Sequence, residues 1–156
     1  MKFEIYRVDY DNKQLLEKVL VTFLFLEQDY PGFSSWYKTK VMPGLRGGSR
    51  HIYIATSDVN SDDIAAVMIL KNSSEEKKIC TLYVMEEFRL QGLGTTMVDL
   101  AMKSLQFDAP IITVSGSHRV GYEKLFEKFG FEHYQEYSNY YKTNETEHSY
   151  NGYLNT

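Results

Sequence analysis

The sequence predicts an α+β fold: a central mixed sheet of about six to seven strands with helices on both faces. Three observations carry this prediction. Strand-like and helix-like stretches follow one another as strand, helix, short helix, three strands, helix, strand, helix and two strands. The three consecutive strands are joined by short polar turns, which makes them antiparallel neighbours. Ile111 to Val114 is a short, wholly apolar strand between two helical stretches, the pattern of a strand buried on both faces in a parallel pair. A chain of 156 residues is the size of one domain, spanning 1–156, with no internal repeat.

Each element has a local reason. Phe3 to Tyr10 alternates enough for an edge strand. Asp11, three residues before Gln14, signals a helix start, and Leu15, Leu16, Val19, Leu20 and Phe23 then fall at helical spacing. This places a helix over about 12–28, ending before Pro31-Gly32. Phe33 to Tyr37 opens a short second helix, and Pro43 to Ser49 reads as an ordered loop or turn. His51 to Thr56, Ile64 to Lys71 and Lys78 to Met85 are the three strands. Leu93, Met97, Leu100 and Ala101 then mark a helix that Asp108-Ala109-Pro110 ends. After the apolar strand, Tyr122, Leu125, Phe126 and Phe129 form the stripe of the last helix, which Gly130 closes. Phe131 to Tyr141 and Ser149 to Leu154 are the final strands, around a turn at Lys142 to Glu147.

Composition excludes several classes. Hydrophobic residues make up 43% and charged residues 24%, which rules out a disordered or collagen-like chain. The net charge of −4 speaks against general nucleic-acid binding, so no nucleic acid is expected as a partner. The lone Cys80 excludes an intrachain disulfide and a cysteine-based zinc site, and no metal is expected. The longest apolar stretch, Val19 to Leu26, contains Thr22 and is far shorter than the ~20 residues that cross a bilayer, so no membrane is expected either. The N-terminus carries neither a basic leader nor a cleavage site, and the expected location is cytoplasmic.

The most informative segment runs from Thr81 to Met97. A strand ending near Val84 or Met85 turns into a helix starting near Gly92, and the turn holds Gly92 and Gly94. Glycines there let backbone N–H groups approach an oxyanion, and the helix N-terminus adds its positive dipole. The guest expected is a phosphate or pyrophosphate. A P-loop is excluded, because it needs four residues between its glycines and then Lys-Ser/Thr. The dinucleotide fingerprint is excluded too, since its third glycine position is Met97.

The run Arg89-Leu-Gln-Gly92-Leu-Gly94, preceded by Leu82-Tyr-Val84 and followed by an amphipathic helix, resembles motif A of the GNAT superfamily of acyl-CoA-dependent N-acetyltransferases. Leu125-Phe-Glu-Lys-Phe-Gly-Phe131, after the strand Ile111–Val114, resembles its motif B. The likeness is best over about 78–131. It implies a mostly antiparallel sheet with one parallel pair in the middle, ending at Val84 and Val114, that splays apart. It also implies acetyl-CoA as cosubstrate. Backbone groups of Leu82, Tyr83 and Val84 would pair with the pantetheine arm as an added strand. Amides of Leu90, Gln91, Gly92, Leu93, Gly94 and Thr95 would hold the pyrophosphate.

The sequence departs from the family pattern where the chemistry lies. The motif B tyrosine that often protonates the departing thiolate is Phe126 here. The carboxylate that often serves as base in the fourth or fifth strand has no counterpart in Lys77 to Cys80 or Ile112 to Ser115. Three readings follow. Tyr122, one helical turn before Phe126, presents its hydroxyl to the sulfur or is a core tyrosine. His118, at the strand-to-helix turn, is a base or a surface or capping residue. Otherwise positioning alone carries the rate, with protons moving through water. Arg119 stands where the family often has a cofactor-contacting asparagine, and either reaches a CoA phosphate or is solvated. Cys80 reads as a small core residue.

The acceptor, a small-molecule amine or a peptide, would be framed by Trp36, Tyr37, Arg46 and Arg50 on one side and Tyr137, Tyr140 and Tyr141 on the other. The abundance of tyrosine, 13 in all, suits a pocket wall or a homodimer interface. N-acetyl transfer from acetyl-CoA to an amine is the leading expectation. The alternative is a non-catalytic acyl-CoA-binding sensor or scaffold module, motivated by Phe126 and the missing carboxylates. A toxin-like enzyme acetylating the aminoacyl end of tRNA is disfavoured by the net charge.

Overall fold

The computed structural model describes residues 2–58 and 62–154. A seven-stranded sheet runs in the order β1-β2-β3-β4-β5-β7-β6. Its strands are β1 (Phe3–Arg7), β2 (Arg50–Ser57), β3 (Ile64–Asn72), β4 (Lys77–Val84), β5 (Ile111–Ser115), β6 (His133–Ser138) and β7 (Thr146–Tyr150). All neighbours are antiparallel except β4 and β5. The mixed, mostly antiparallel sheet with one parallel pair is therefore as expected.

The sheet faces separate by strand alternation. On one face Ala66, Met68, Leu70, Ile79 and Ile112 pack under α4 (Leu93–Leu105) and α5 (Arg119–Lys128), which contribute Met97, Val98, Ala101, Leu105 and Phe126. On the other, Ile52, Ile54, Val67 and Ile69 pack under α1 (Lys13–Thr22), α2 (Phe33–Trp36) and the helical turn that follows it, through Leu16, Val19, Phe23, Phe33, Tyr37 and Val41. Both surfaces of β3 are thereby covered, and its residues 64–70 are all buried.

Several boundaries differ from the sequence reading, each for a local reason. The first helix is capped by Asn12, whose Oδ1 accepts from the Leu15 N–H at 3.1 Å, rather than by Asp11. It stops at Thr22, whose hydroxyl donates back to the Lys18 carbonyl at 2.6 Å, and a tighter 3-10 stretch, Leu24–Gln28, continues the chain. Pro43 to Ser49 is not a loop. The helical path continues from α2 through a wide π turn, Tyr37–Val41, into α3 (Met42–Gly47). Pro43 lies at the start of α3 within this continuous path, its missing N–H leaving one carbonyl of the preceding turn without its usual donor, and Gly48 at φ 81° stops the helix in the left-handed region. The wide turn accommodates the carbonyl that Pro43 cannot pair with.

The C-terminal hairpin also closes earlier than expected. Asn139 and Asn144 adopt left-handed backbones, and the Asn144 N–H donates to Asn139 Oδ1 at 2.6 Å. This tightens the turn, so β7 begins at Thr146 and takes in Glu147, which the sequence pattern assigns to the turn. Asn151, also left-handed, ends the strand by donating its side-chain N–H to the Pro110 carbonyl at 2.9 Å.

Parallel pairing between β4 and β5 is confined to Lys78–Ile111 and Ile79–Ile112. Beyond those rungs, residues 80–84 and 113–115 diverge. A bulge in the β3–β4 register, between Ile69 and Leu70, falls opposite Cys80 and bends β4 at the point where it leaves β5. The expected splay is present, and it has a visible cause.

Tyr37 is 1% exposed and donates its hydroxyl to the Leu16 carbonyl at 2.8 Å, tying the π turn to α1. Tyr37→Phe should lower unfolding free energy by about 1 kcal/mol, read by urea denaturation. An unchanged midpoint would show that this bond contributes nothing net.

Candidate functional site

A cavity of about 910 Å³ opens at the splay. It is walled by β4 and β5, the turn before α4, the inner side of α5 and the start of α2. Glu27 positions α2 there: its carboxylate accepts from the Gly32 and Ser34 N–H groups at 2.6 and 2.8 Å. These bonds, Ser34 first, hold its pKa below the ordinary value.

The register decides which backbone groups face the opening. Met85 donates to Ala65 O at 2.8 Å, and antiparallel alternation then commits Tyr83 to Val67 while turning Leu82 and Val84 outward. Their carbonyls are engaged by side chains: Tyr122 Oη donates to Leu82 O at 2.7 Å and Arg89 Nε to Val84 O at 2.9 Å. Their N–H groups remain directed into the cleft. The backbone of Tyr83 is thus unavailable to an added strand, although its ring lines the cavity, edge-on to Phe25 at 5.1 Å.

Between β4 and α4 a 3-10 turn, Glu86–Phe88, delivers the chain to the glycine bend. Gly92 is the N-cap of α4 at φ 80° and supplies no side-chain cap, so the first-turn amides of Leu93, Gly94 and Thr95 lack an intrahelical partner. A Cβ at Gly92 would meet nothing within 4 Å, and one at Gly94 only the Leu125 side chain at 3.7 Å. The space before these amides is open. Leu90 sits at φ 63° with its side chain fully exposed, a conformation that costs a non-glycine residue on the order of 1 kcal/mol. Leu90, Gly92, Leu93, Gly94 and Thr95 line the cavity; Gln91 does not. These donors fit a diphosphate.

On α5, His118 and Tyr122 both line the cavity, one turn apart. Burial, opposed by nearby Arg89, pushes the Tyr122 phenol up to about 12, so it stays protonated. His118 makes no side-chain cap. Its Nδ1 is 2.8 Å from Ser115 Oγ, which leaves Nε2 free for other contacts. Phe126 is buried, 4.5 Å from the Tyr150 ring, and also lines the cavity, where it offers no hydroxyl. Arg119 lies outside the cavity, its Nε donating to Tyr150 Oη at 2.9 Å, and so does not take the cofactor-facing place expected for it.

The acceptor-side expectations divide in the same way. Trp36, Arg50 and Tyr141 line the cavity; Arg46, Tyr137 and Tyr140 do not. Tyr37 is a core residue bonded to α1, which corrects its assignment to the acceptor pocket. Arg50 lies over the Trp36 ring at 5.6 Å and donates to Cys80 Sγ at 3.3 Å, so Cys80 belongs to the cavity wall. Burial pushes its thiol pKa up, which makes it a poor nucleophile.

Sequence reasoning missed Glu147. It is 2% exposed on β7, beside the Thr113 hydroxyl, with Oε2 unpartnered. Burial raises its pKa from 4.5 to about 7, against the opposing effects of Thr113 and Lys78. Thr113 also neighbours Tyr141, which Lys78 Nζ approaches at 3.5 Å. Thr113, Tyr141 and Lys78 line the cavity, and Glu147 stands directly behind them. Its negative charge helps to raise the phenols of Tyr30 and Tyr141. A carboxylate from the neighbouring strand thus backs the wall that lacks one on β4 and β5.

A mixed sheet opened between its parallel strands, with a glycine-capped helix starting at the opening, is the architecture of GNAT acetyltransferases. The chain belongs to that family: residues 48–133 match the model of the acetyltransferase (GNAT) domain. No curated protein matches it in sequence. Among solved structures it is similar to the NatC complex bound to Gag peptide and CoA, with TM-score 0.75 and 15% identity over 96% of this chain and 97% of that one. It is similar also to the ribosomal-protein-S18-alanine N-acetyltransferase from Escherichia coli, at TM-score 0.68 and 19% identity over 96% and 92%. A Bacillus subtilis acetyltransferase in complex with CoA gives TM-score 0.65 and 16% identity over 98% and 100%. At these identities the likeness is one of fold. Among the described residues, no helix is long and apolar enough to cross a membrane.

Glu147 holds its proton more tightly folded, with a pKa of about 7, than unfolded, near 4.5. Stability should therefore fall as pH rises from 4.5 to 7 and level off above, by about 3 kcal/mol in all from this group. Glu147→Gln should remove that part of the slope and gain stability at pH 8, measured by urea denaturation at pH 5 and 8. Equal pH dependence in both proteins would contradict the assignment.

Proposed function

We propose that the protein transfers an acetyl group from acetyl-CoA directly to an amine of a small molecule or a peptide. The observation that carries this is the opened β4–β5 pair, ending beside uncapped first-turn amides of α4. The N–H groups of Leu82 and Val84 bind the pantetheine arm along β4, and the amides of Leu93, Gly94 and Thr95 hold the diphosphate. The CoA thioester supplies an activated acyl carbon. The two similar structures bound to CoA support that choice of cosubstrate, and the NatC complex with its peptide is in keeping with a peptide acceptor.

The remaining roles follow from position. The acceptor enters between Tyr30, Trp36 and Tyr141, with the Asp29 carboxylate at the same end to attract an ammonium group. Glu147, ionised at and above neutral pH, takes the amine proton through the Thr113 and Tyr141 hydroxyls. The amine nitrogen then bonds to the acyl carbon as the carbon–sulfur bond breaks. Tyr122, protonated at neutral pH, donates a hydrogen bond to the departing sulfur in place of Leu82 O. His118, bonded through Nδ1 to Ser115 Oγ, also lines the cavity and is the competing candidate for the base.

Gly94→Trp fills the space before the first-turn amides and should abolish CoA binding by calorimetry, while circular dichroism stays unchanged. Retained affinity would sink the reading of the bend as a diphosphate cradle. Glu147→Gln should cut kcat roughly 100-fold or more and remove a fall in rate below about pH 7, with CoA affinity intact. If instead His118→Ala removes that fall and Glu147→Gln does not, the base is His118. Tyr122→Phe should slow turnover without weakening CoA binding. CoA binding with no amine-dependent thiol release across a broad amine panel would favour a sensor over an enzyme.

A further inference from the structure

The β6–β7 hairpin carries a cluster that the transfer reaction does not use. His133 and Glu136 on β6 and His148 on β7 place one ligand atom each within 4.8 Å of the others, and none of the three lines the cavity. Residues 133 and 136 are an odd number apart, so a regular strand would put them on opposite faces. The register shift between His133 and Gln135 inserts one residue and returns His133 to the face of Glu136, which is paired directly with His148. The bulge is what assembles the group.

Its dimensions suit an ion. His133 Nε2 is 3.0 Å from His148 Nδ1, and Glu136 Oε1 is 3.8 Å from the same nitrogen. Two ligands bound at about 2.1 Å lie roughly 3.0–3.4 Å apart, so the imidazoles already span one edge of a coordination shell. His148 is the fixed member, 7% exposed, and His133 rests edge-on against the Tyr150 ring at 5.4 Å. The Glu136 side chain is 62% exposed and free to rotate the remaining distance. Arg119 and Glu145 are the other charges near His148, and they act on it in opposite senses.

We propose that His133, Glu136 and His148 form a three-ligand site for a divalent first-row transition ion, with Zn²⁺ the best fit, that pins β6 to β7. Two imidazoles and one carboxylate suit such an ion, whereas Ca²⁺ and Mg²⁺ favour oxygen ligands alone and Cu⁺ favours sulfur. The ring-to-ring hydrogen bond uses one N–H, and ligation needs both lone pairs. The ring that donates meets this by moving its proton to its other nitrogen, with no net proton released. Such a site departs from the expectation, drawn from the single cysteine, that the chain holds no metal.

The test uses the full chain, stripped with a chelator and titrated with Co²⁺ under visible absorption, followed by Zn²⁺ competition. The expected result is one Co²⁺ per chain with ligand-field bands that Zn²⁺ abolishes, and a Zn²⁺-dependent rise in Tm. His133→Ala and Glu136→Gln, both at exposed positions, should each weaken binding by roughly 10-fold to 100-fold or more while leaving the metal-free Tm unchanged. His51→Asn, on β2, should bind as the parent does. Absent bands, affinity no better than millimolar, binding that survives His133→Ala, or loss of binding in His51→Asn would each overturn the proposal.

Discussion

Parallel pairing that stops after two rungs is the constraint from which the rest of the structure follows. β4 and β5 are each held on their far side by an antiparallel partner, β3 and β7, so neither is free to follow the other. The bulge opposite Cys80 directs β4 outward where its last shared rung ends. Had pairing continued to Val84, the N–H groups of Leu82 and Val84 would be consumed by β5. A sheet normally spends its backbone donors internally; here a short row of them is kept for something else.

Two side chains brace the opening without filling it. Tyr122 spans from α5 to the Leu82 carbonyl, and Arg89 folds back onto the Val84 carbonyl while lying over the Tyr83 ring at 5.2 Å. Both engage acceptors only, so the donors beside them stay exposed to the cleft. The two helix layers impose a further division. The α4 and α5 face is apolar up to the slot, whereas the opposite face turns polar where α1–α3 no longer cover it, at Lys78, Thr113 and Glu147.

Much of this was legible in the sequence, because it rests on short-range signals. Gly92 and Gly94 marked the bend, the apolar run at Ile111 marked the parallel strand, and Tyr122 fell one turn from Phe126 on a readable helix face. What was not legible depends on neighbours distant in sequence. Glu147 looked like a turn residue because the asparagines that tighten the hairpin, Asn139 and Asn144, give no periodic signal. Its burial comes from pairing with β5, which the linear pattern does not contain. Tyr37 fits a pocket wall or a core equally well by spacing, and only the Leu16 carbonyl decides between them. Arg119 had a family-based role, yet Tyr150, more than thirty residues later, takes its guanidinium.

The outer border of the sheet has a consequence for the molecule in solution. β6 is its last strand, and it is short, largely exposed and rich in polar groups, with a break in its ladder near His133. An uninterrupted border would be a template on which another polypeptide could stack hydrogen bond by hydrogen bond. The irregular step twists that template out of line, and its hydrophilic side chains favour water over a second ribbon. The same irregularity that gathers three polar groups thus also guards the fold against edge-to-edge aggregation.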